Sequence, residues 1–300
     1  LISSERMLAD IRTLSGPAFN GRQTGTPDDL ASAEFVRQRF LDLQQPRAPE
    51  SESPGATAQR PAPVHLQSAP VHTTKIDDDS LLQIGGIAER QPAVVGSDYL
   101  PILDSPSAEL EASIVFVGYG ISDPAGGFDD YAGIDVRNKV VLFLRGKPER
   151  YATQVSHADK AHMAHAHGAI GYLTATGPIL SAYETRRGVT GRPSAFYGLT
   201  DPHRTIPGAW ISTALASAIL SVQQPGEDNR LRHLQQQLND TMTPQSMTID
   251  ISIRMRWHST RQHGTLQNAV ALLPGQDAAH QHDAILIGAH RDHFGKQGGL

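Results

Sequence analysis

The 300-residue chain contains no cysteine, which excludes a disulfide framework and any thiolate metal centre. A metal here has to be held by histidine and carboxylate. A basic excess is also missing. Lys and Arg number 26 against 31 Asp and Glu, a formal net charge of -5, without the positive footprint of a nucleic-acid binder. No stretch of about 18 consecutive apolar residues occurs, so no transmembrane segment is expected. A charged-then-apolar leader is absent too, and the chain opens on Leu1, so it is read as processed or cut at the front, which leaves the compartment open. What is present, 39% hydrophobic and 19% charged residues, is an ordinary globular composition long enough for two domains, and 20 Pro with 27 Gly predict many turns.

Periodicity divides the chain. Met7, Leu8, Ile11 and Leu14 recur at helical spacing before Ser15, Gly16 and Pro17 stop the segment. The stretch Gly-Arg-Gln-Thr-Gly-Thr at 21–26 leads into a second predicted helix over 27–43. Pro27 suits its first turn, Asp28 and Asp29 suit its positive end, and Leu30, Ala33, Val36, Phe40 and Leu43 share a face. Residues 46–63, rich in Pro, Ala and Ser, read as a flexible loop. Strands are expected at 64–71 and 80–84, joined by a solvated turn at Asp77, Asp78 and Asp79, which lack the spaced ligands of a calcium loop.

From about 110 a new block begins, with strands expected at 113–118, 139–144 and 169–173, and helices at 155–167 and 212–222. Gly118-Tyr-Gly120 is a strand-ending turn, not a dinucleotide loop, because no third glycine opens a helix after it. Asp129, Asp130 and Asp135 read as loop caps. His157, His162, His165 and His167 form the densest histidine cluster. Their favoured role is an exposed helix face with Ala161 and Ala164 packed inward, since no carboxylate is spaced to complete a metal site with His162 and His165. Beyond Pro225 and Gly226, a helix is expected at 227–238, and 247–257 alternates as a half-buried strand.

The most informative stretch is 283–295. Its apolar run at 284–287 predicts a buried strand, broken at Gly288 and followed at once by His290, Asp292 and His293. His290 and Asp292 are two apart, so in an extended segment they point the same way. The carboxylate can then accept a hydrogen bond from the N–H of one imidazole nitrogen while the other nitrogen binds a metal. Zinc suits such an imidazole; hydrolytic zinc also needs carboxylate ligands and an open position for water.

Residues 268–275 (Asn-Ala-Val-Ala-Leu-Leu-Pro-Gly) and 285–295 together resemble the opening of the catalytic domain of the M28 family of zinc aminopeptidases. The Gly-Arg-x-x-Gly-Thr segment with its helix is similar to that family's amino-terminal segment. Phe-Val-Gly-Tyr-Gly-Ile at 116–121, 129–135, 138–146, 160–171 and 206–212 resemble the protease-associated domain inserted in many members. The resemblance implies an α/β fold, a zinc-exopeptidase-like mixed sheet with flanking helices, incomplete at the carboxyl end and interrupted by the inserted domain. The implied domains are 1–45 (peptidase helices), 46–63 (loop), 64–225 (inserted region, core about 110–225) and 226–300 (start of the catalytic domain). It assigns His290 as a metal ligand and Asp292 as its catalytic support. Arg291 stands at a position that tolerates change, and Arg22 is expected to pin its loop. The family's bridging Asp, adjacent Glu pair with the general base, further Asp and final His all follow this motif, and no residue here is assigned to them.

The implied activity is removal of amino-terminal residues from peptide substrates by a metal-activated water, with two Zn2+ per complete site and an extracellular or periplasmic location. Partners are peptides, not nucleic acid, and the inserted domain offers a surface for substrate or protein contacts. The isolated chain is expected to be inactive and to hold zinc weakly. The alternatives are a non-catalytic binding or receptor-like protein on the same fold, or a carboxypeptidase or glutaminyl-cyclase type relative.

Overall fold

Alternation at 247–257 is carried through in full in the computed structural model. Every second residue from Ile249 to Trp257 is buried and those between are exposed, the signature of a strand with one covered face. The structure describes residues 3–44, 63–85, 92–186, 188–196, 198, 205–222, 226–227, 229–274, 277–280 and 282–296. The expected flexible loop at 46–63 lies outside them except for Pro63. Two compact units emerge, one made of residues 1–73 with 261–296, the other chiefly of 74–260.

In chain order the elements are α1 (Ser4–Leu14), α2 (Pro27–Gln44), β1 (Val64–Ile76), β2 (Leu81–Ile84), β3 (Tyr99–Pro101), β4 (Ala108–Phe116), β5 (Ser122–Asp123), β6 (Phe128–Asp129), β7 (Val140–Leu144), α3 (His157–Ala166), β8 (Gly171–Ala175), α4 (Ala182–Arg186), β9 (Gly208–Ile211), α5 (Thr213–Ser221), α6 (Arg230–Thr241), β10 (Met247–Trp257) and β11 (Ser259–Ala271), with short 3-10 turns at Pro17–Phe19 and Ala278–His280.

In the larger unit seven strands form one mixed sheet in the order β2-β10-β4-β7-β8-β9-β3. β4, β7, β8 and β9 run parallel, and β10 and β3 close the two sides antiparallel. The central strands β7 and β8 are buried along their whole length, as expected for parallel strands covered on both faces. On one face Ala161 and Ala164 of α3 pack with Val115, Val141, Phe143 and Tyr172. On the other, Leu215 and Ile219 of α5 and Leu231, Leu234 and Leu238 of α6 pack with Ile114, Phe116, Leu142, Leu173 and Ile253. α3 starts where Ser156 and Asp159 form a reciprocal capping box, and α5 where Ser212 caps Leu215.

The smaller unit is thinner. β1 and β11 pair as a two-stranded sheet, and α1 buries no residue, leaving Met7, Leu8 and Ile11 more than half exposed. Of the expected apolar face of α2, Ala33 is fully buried whereas Leu30 and Leu43 are exposed. One expectation is overturned: 284–287 forms no strand, and Ile285, Leu286 and Ile287 are each more than 90% exposed. A strand buried on both faces needs neighbours on both sides, and none of the described strands pairs with this segment.

Candidate metal-ligand site

The site is built by two loops of the smaller unit that run side by side. Gly21 and Arg22 take left-handed backbone angles, φ 78° and 50°, which turn the chain between the 3-10 turn and α2. The 293–295 segment lies along this turn: His293 N–H donates to Arg22 O at 2.8 Å, Gly295 N–H to Gly21 O at 3.0 Å, and Gln23 and His293 form a parallel bridge. A Cβ on Gly21 would sit 2.5 Å from the Gly295 carbonyl carbon, so glycine is required both for the turn and for the approach.

Two arginines lock the arrangement. Arg22 Nε donates to Arg291 O at 2.9 Å and its NH1 to Leu14 O, the pinning role expected of it. Arg291 does far more than occupy a tolerant position. Its guanidinium donates to Asp29 O at 2.7 Å, to Gln267 O at 2.7 Å, to the Ser32 hydroxyl and to the Asp29 carboxylate. Asp29 and Ser32 are both fully buried, and Asp29 also accepts from Gly25 N–H at 3.1 Å. This planar fork satisfies a carboxylate that would otherwise be stranded.

On that frame sit the two residues singled out by the sequence. His290 Nδ1 faces Asp292 Oδ1 at 3.4 Å, and the Thr24 hydroxyl donates to Asp292 Oδ2 at 2.6 Å. Thr24 was not visible as a functional candidate. It lies 268 positions away in sequence, and nothing in its own neighbourhood distinguishes it. Burial pushes the Asp292 carboxyl upward, but the hydrogen bonds from Thr24, from His290 and from the backbone outweigh it and hold the group below the ordinary carboxylate range. The imidazole side chain is 99% exposed, so Nε2 points to open space.

Among the described residues no three His, Asp or Glu side chains converge on one metal position. The donor set present is a single imidazole nitrogen with a carboxylate behind the other, itself held by a hydroxyl. That fits zinc as one ligand of a larger set, with the outer shell such a ligand needs.

The other histidines are placed differently. His157 is half-buried, with Nε2 3.1 Å from the Tyr172 hydroxyl and its ring edge-on to Phe196. Burial, then the charges of Lys160 and Arg145, pull its pKa down to about 3. It is therefore not the exposed helix-face residue expected. His167 stacks on Tyr131 at 4.2 Å, and His165 is exposed. The acidic loop residues cap as expected: Asp130 accepts from Tyr119 N–H and Ile121 N–H at 3.0 and 3.1 Å, Asp129 from Tyr131 N–H and Asp135 from Arg137 N–H. Lys160, from the same helix as the histidines, is buried and donates to Leu144 O and Gly146 O. Burial pulls its pKa down to about 7, against the attraction of Asp130 and Glu184.

No protein-family model matches this sequence, and no curated protein matches it. Among solved structures it is similar to an aminopeptidase from Aneurinibacillus sp. strain AM-1, with 18% identity and a TM-score of 0.55 over 92% of this chain and 49% of that one. It also matches BSAP, a zinc aminopeptidase from Bacillus subtilis, at 14% identity and a TM-score of 0.48 over 93% and 49%. The chain spans about half the length of these enzymes. The likeness to the Aneurinibacillus enzyme is one of fold, a mixed α/β structure whose mixed sheet carries flanking helices. Among the described residues no helix is long and apolar enough to cross a membrane.

Proposed function

We propose that the chain is the amino-terminal part of an M28-type zinc aminopeptidase, secreted to an extracellular or periplasmic location, with a protease-associated domain inserted at about 64–225. The observation that carries this reading is the Thr24–Asp292–His290 relay. It is a metal-ligand imidazole oriented through its far nitrogen, on a chain with the fold of an aminopeptidase. The two compact units divide at 73/74 and 260/261, inside β1 and β11, whereas the proposed inserted region runs from 64 to 225.

His290 presents Nε2 as the ligand. Asp292 accepts a hydrogen bond from Nδ1–H, which fixes the tautomer and raises the basicity of Nε2, and Thr24 keeps Asp292 turned toward the ring. Arg22 and Arg291 hold the loop that carries both residues. Zinc, when bound, supplies polarisation of the scissile carbonyl and a water of lowered pKa. The bridging Asp, the Glu pair with the general base, the further Asp and the last His are assigned to chain following this motif. Peptides bearing a free amino terminus are the substrate class.

The test is zinc uptake by the 300-residue chain, together with hydrolysis of leucine p-nitroanilide by the protein made from its whole coding sequence. His290→Ala should abolish the weak zinc binding of the chain and the hydrolysis by the whole protein, and Asp292→Asn should weaken zinc binding by about 10–100-fold. Hydrolysis that survives His290→Ala unchanged, or none from the whole wild-type protein, would sink the reading.

A further inference from the structure

At the carboxyl ends of the parallel strands of the larger sheet lies a cavity of about 520 Å³, within the size range of small-molecule sites. Tyr119 follows β4, Arg145 follows β7, Thr174 is the second-last residue of β8 and Trp210 the second-last of β9. Ligands of open α/β sheets bind in the crevice outside these strand ends. Nothing in the peptidase reading uses this cavity, and every residue lining it belongs to the larger unit.

Three of its polar atoms are buried without a hydrogen-bond partner: Trp210 Nε1, Arg145 NH1 and Thr174 Oγ1. Trp210 is 7% exposed and Thr174 2%, and the two are register neighbours on adjacent strands, so both side chains leave the same face. The Arg145 guanidinium stacks over the Trp210 ring at 5.6 Å, with NH1 3.7 Å from Glu184, beyond hydrogen-bond reach. A buried donor left unmade costs about 1–3 kcal/mol, so three together mark a place that another molecule completes.

The chemistry of that molecule follows from the donors. Indole and guanidinium N–H groups can only donate, so the occupant must accept, and the guanidinium asks for negative charge. The neighbouring ammonium groups are spent on backbone carbonyls, Lys147 on Tyr151 O and Lys160 on Leu144 O and Gly146 O. Arg145, ion-paired with Glu184 at 3.7 Å but with no hydrogen bond at NH1, is one cation with two flanking donors, which matches a single carboxylate better than a phosphate. The apolar part of the remaining wall is supplied by Phe196, Val155 and Ile179. We infer that the larger unit binds a small monocarboxylate with an apolar body, its carboxylate held by Arg145, the Trp210 indole and the Thr174 hydroxyl.

Matched pairs of probes test this on the 300-residue chain: N-acetylphenylalanine and N-acetylleucine, each against its neutral amide, with inorganic phosphate as a further anion. The expected result is that at least one carboxylate binds about tenfold or more tightly than its amide by calorimetry, that Arg145→Gln erases the difference, and that Thr174→Val weakens the carboxylate. The protein has two tryptophans, and the Trp257 indole already donates to Pro106 O at 2.9 Å. In 15N spectra one indole resonance, the one missing in Trp210→Phe, should therefore move on addition of the carboxylate while the other stays. Carboxylates that bind no better than their amides, phosphate that binds more tightly than either acid, or a Trp210 resonance unmoved at saturation would each overturn the inference. If Arg145→Gln does not fold, the resonance shift in the unmodified chain decides alone.

Discussion

Arg291 shows how a single side chain can matter more than its place in a motif suggests. It was expected to stand at a tolerant position between two functional residues, yet its side chain is only 13% exposed and pairs with an Asp29 side chain that is 1% exposed. Removing one partner of a buried pair strands the other, which costs about 3–5 kcal/mol. Arg291→Met should therefore lower the stability of the smaller unit by that order in urea unfolding followed by circular dichroism. Adding Asp29→Asn should recover more than half of the loss, because the amide still accepts from Gly25 N–H and carries no charge. A loss within about 0.5 kcal/mol, ordinary for a surface site, would show the pair to be idle. The sequence could not reveal this role, since Asp29 lies 262 positions away. Arg22, expected to pin its loop, does so through its hydrogen bonds to the carbonyls of Arg291 and Leu14.

The turn after β4 carries its own titration. Gly118 has φ 51°, and a Cβ there would come 2.5 Å from the Asp130 carboxylate; that carboxylate caps the turn. Burial pushes the Asp130 carboxyl up to about 7 from an ordinary 3.8, against the Ile121 N–H, the charge of Lys160, and the N–H groups of Tyr119 and Gly120. A folded pKa above the unfolded one means that its contribution to stability is complete below pH 3.8 and is lost as pH rises through about 7. Asp130→Asn keeps the acceptor and removes the titration. The stability difference between wild type and variant should thus change by up to about 1.4 kcal/mol per pH unit across that window, measured by urea unfolding at stepped pH. Lys160, whose charge acts on Asp130, has its own pKa lowered to about 7 from 10.5, so its limb lies above this window. Parallel profiles for the two proteins would refute the assignment. The capping role of Asp130 was legible from a Gly-rich loop, and β10 from its strict alternation. The pairing of β10 with β4 was not, because period two specifies a covered face and leaves the partner open.

Across the whole molecule, the part of the fold that could be read in advance is the part whose burial is local. The helices α3 and α5 fall where helices were expected, at 155–167 and 212–222, and β7 and β8 are short apolar runs whose covering layers come from neighbouring elements. The run at 284–287 is wholly apolar like β7, and the expectation of a buried strand failed because composition states what a segment needs and not whether neighbours supply it. In this chain Ile285, Leu286 and Ile287 expose 93%, 95% and 91% of their surface. An extended apolar segment with unpaired backbone groups is a template for pairing with another copy. The chain should therefore self-associate through this segment, and Ile285→Thr with Ile287→Thr should reduce the scattering of a concentrated solution. Threonine keeps the β-branched backbone preference and removes most of the apolar surface. Because the replaced side chains have almost no contacts to lose, the unfolding midpoint should stay within about 0.5 kcal/mol of the parent in free energy. If instead the double variant lost 2 kcal/mol or more and scattered as before, the segment would be packed in solution and self-association would have to be sought elsewhere. Unchanged stability with reduced scattering would place the unsatisfied surface of the chain directly before His290, on the segment that leads into the proposed ligand.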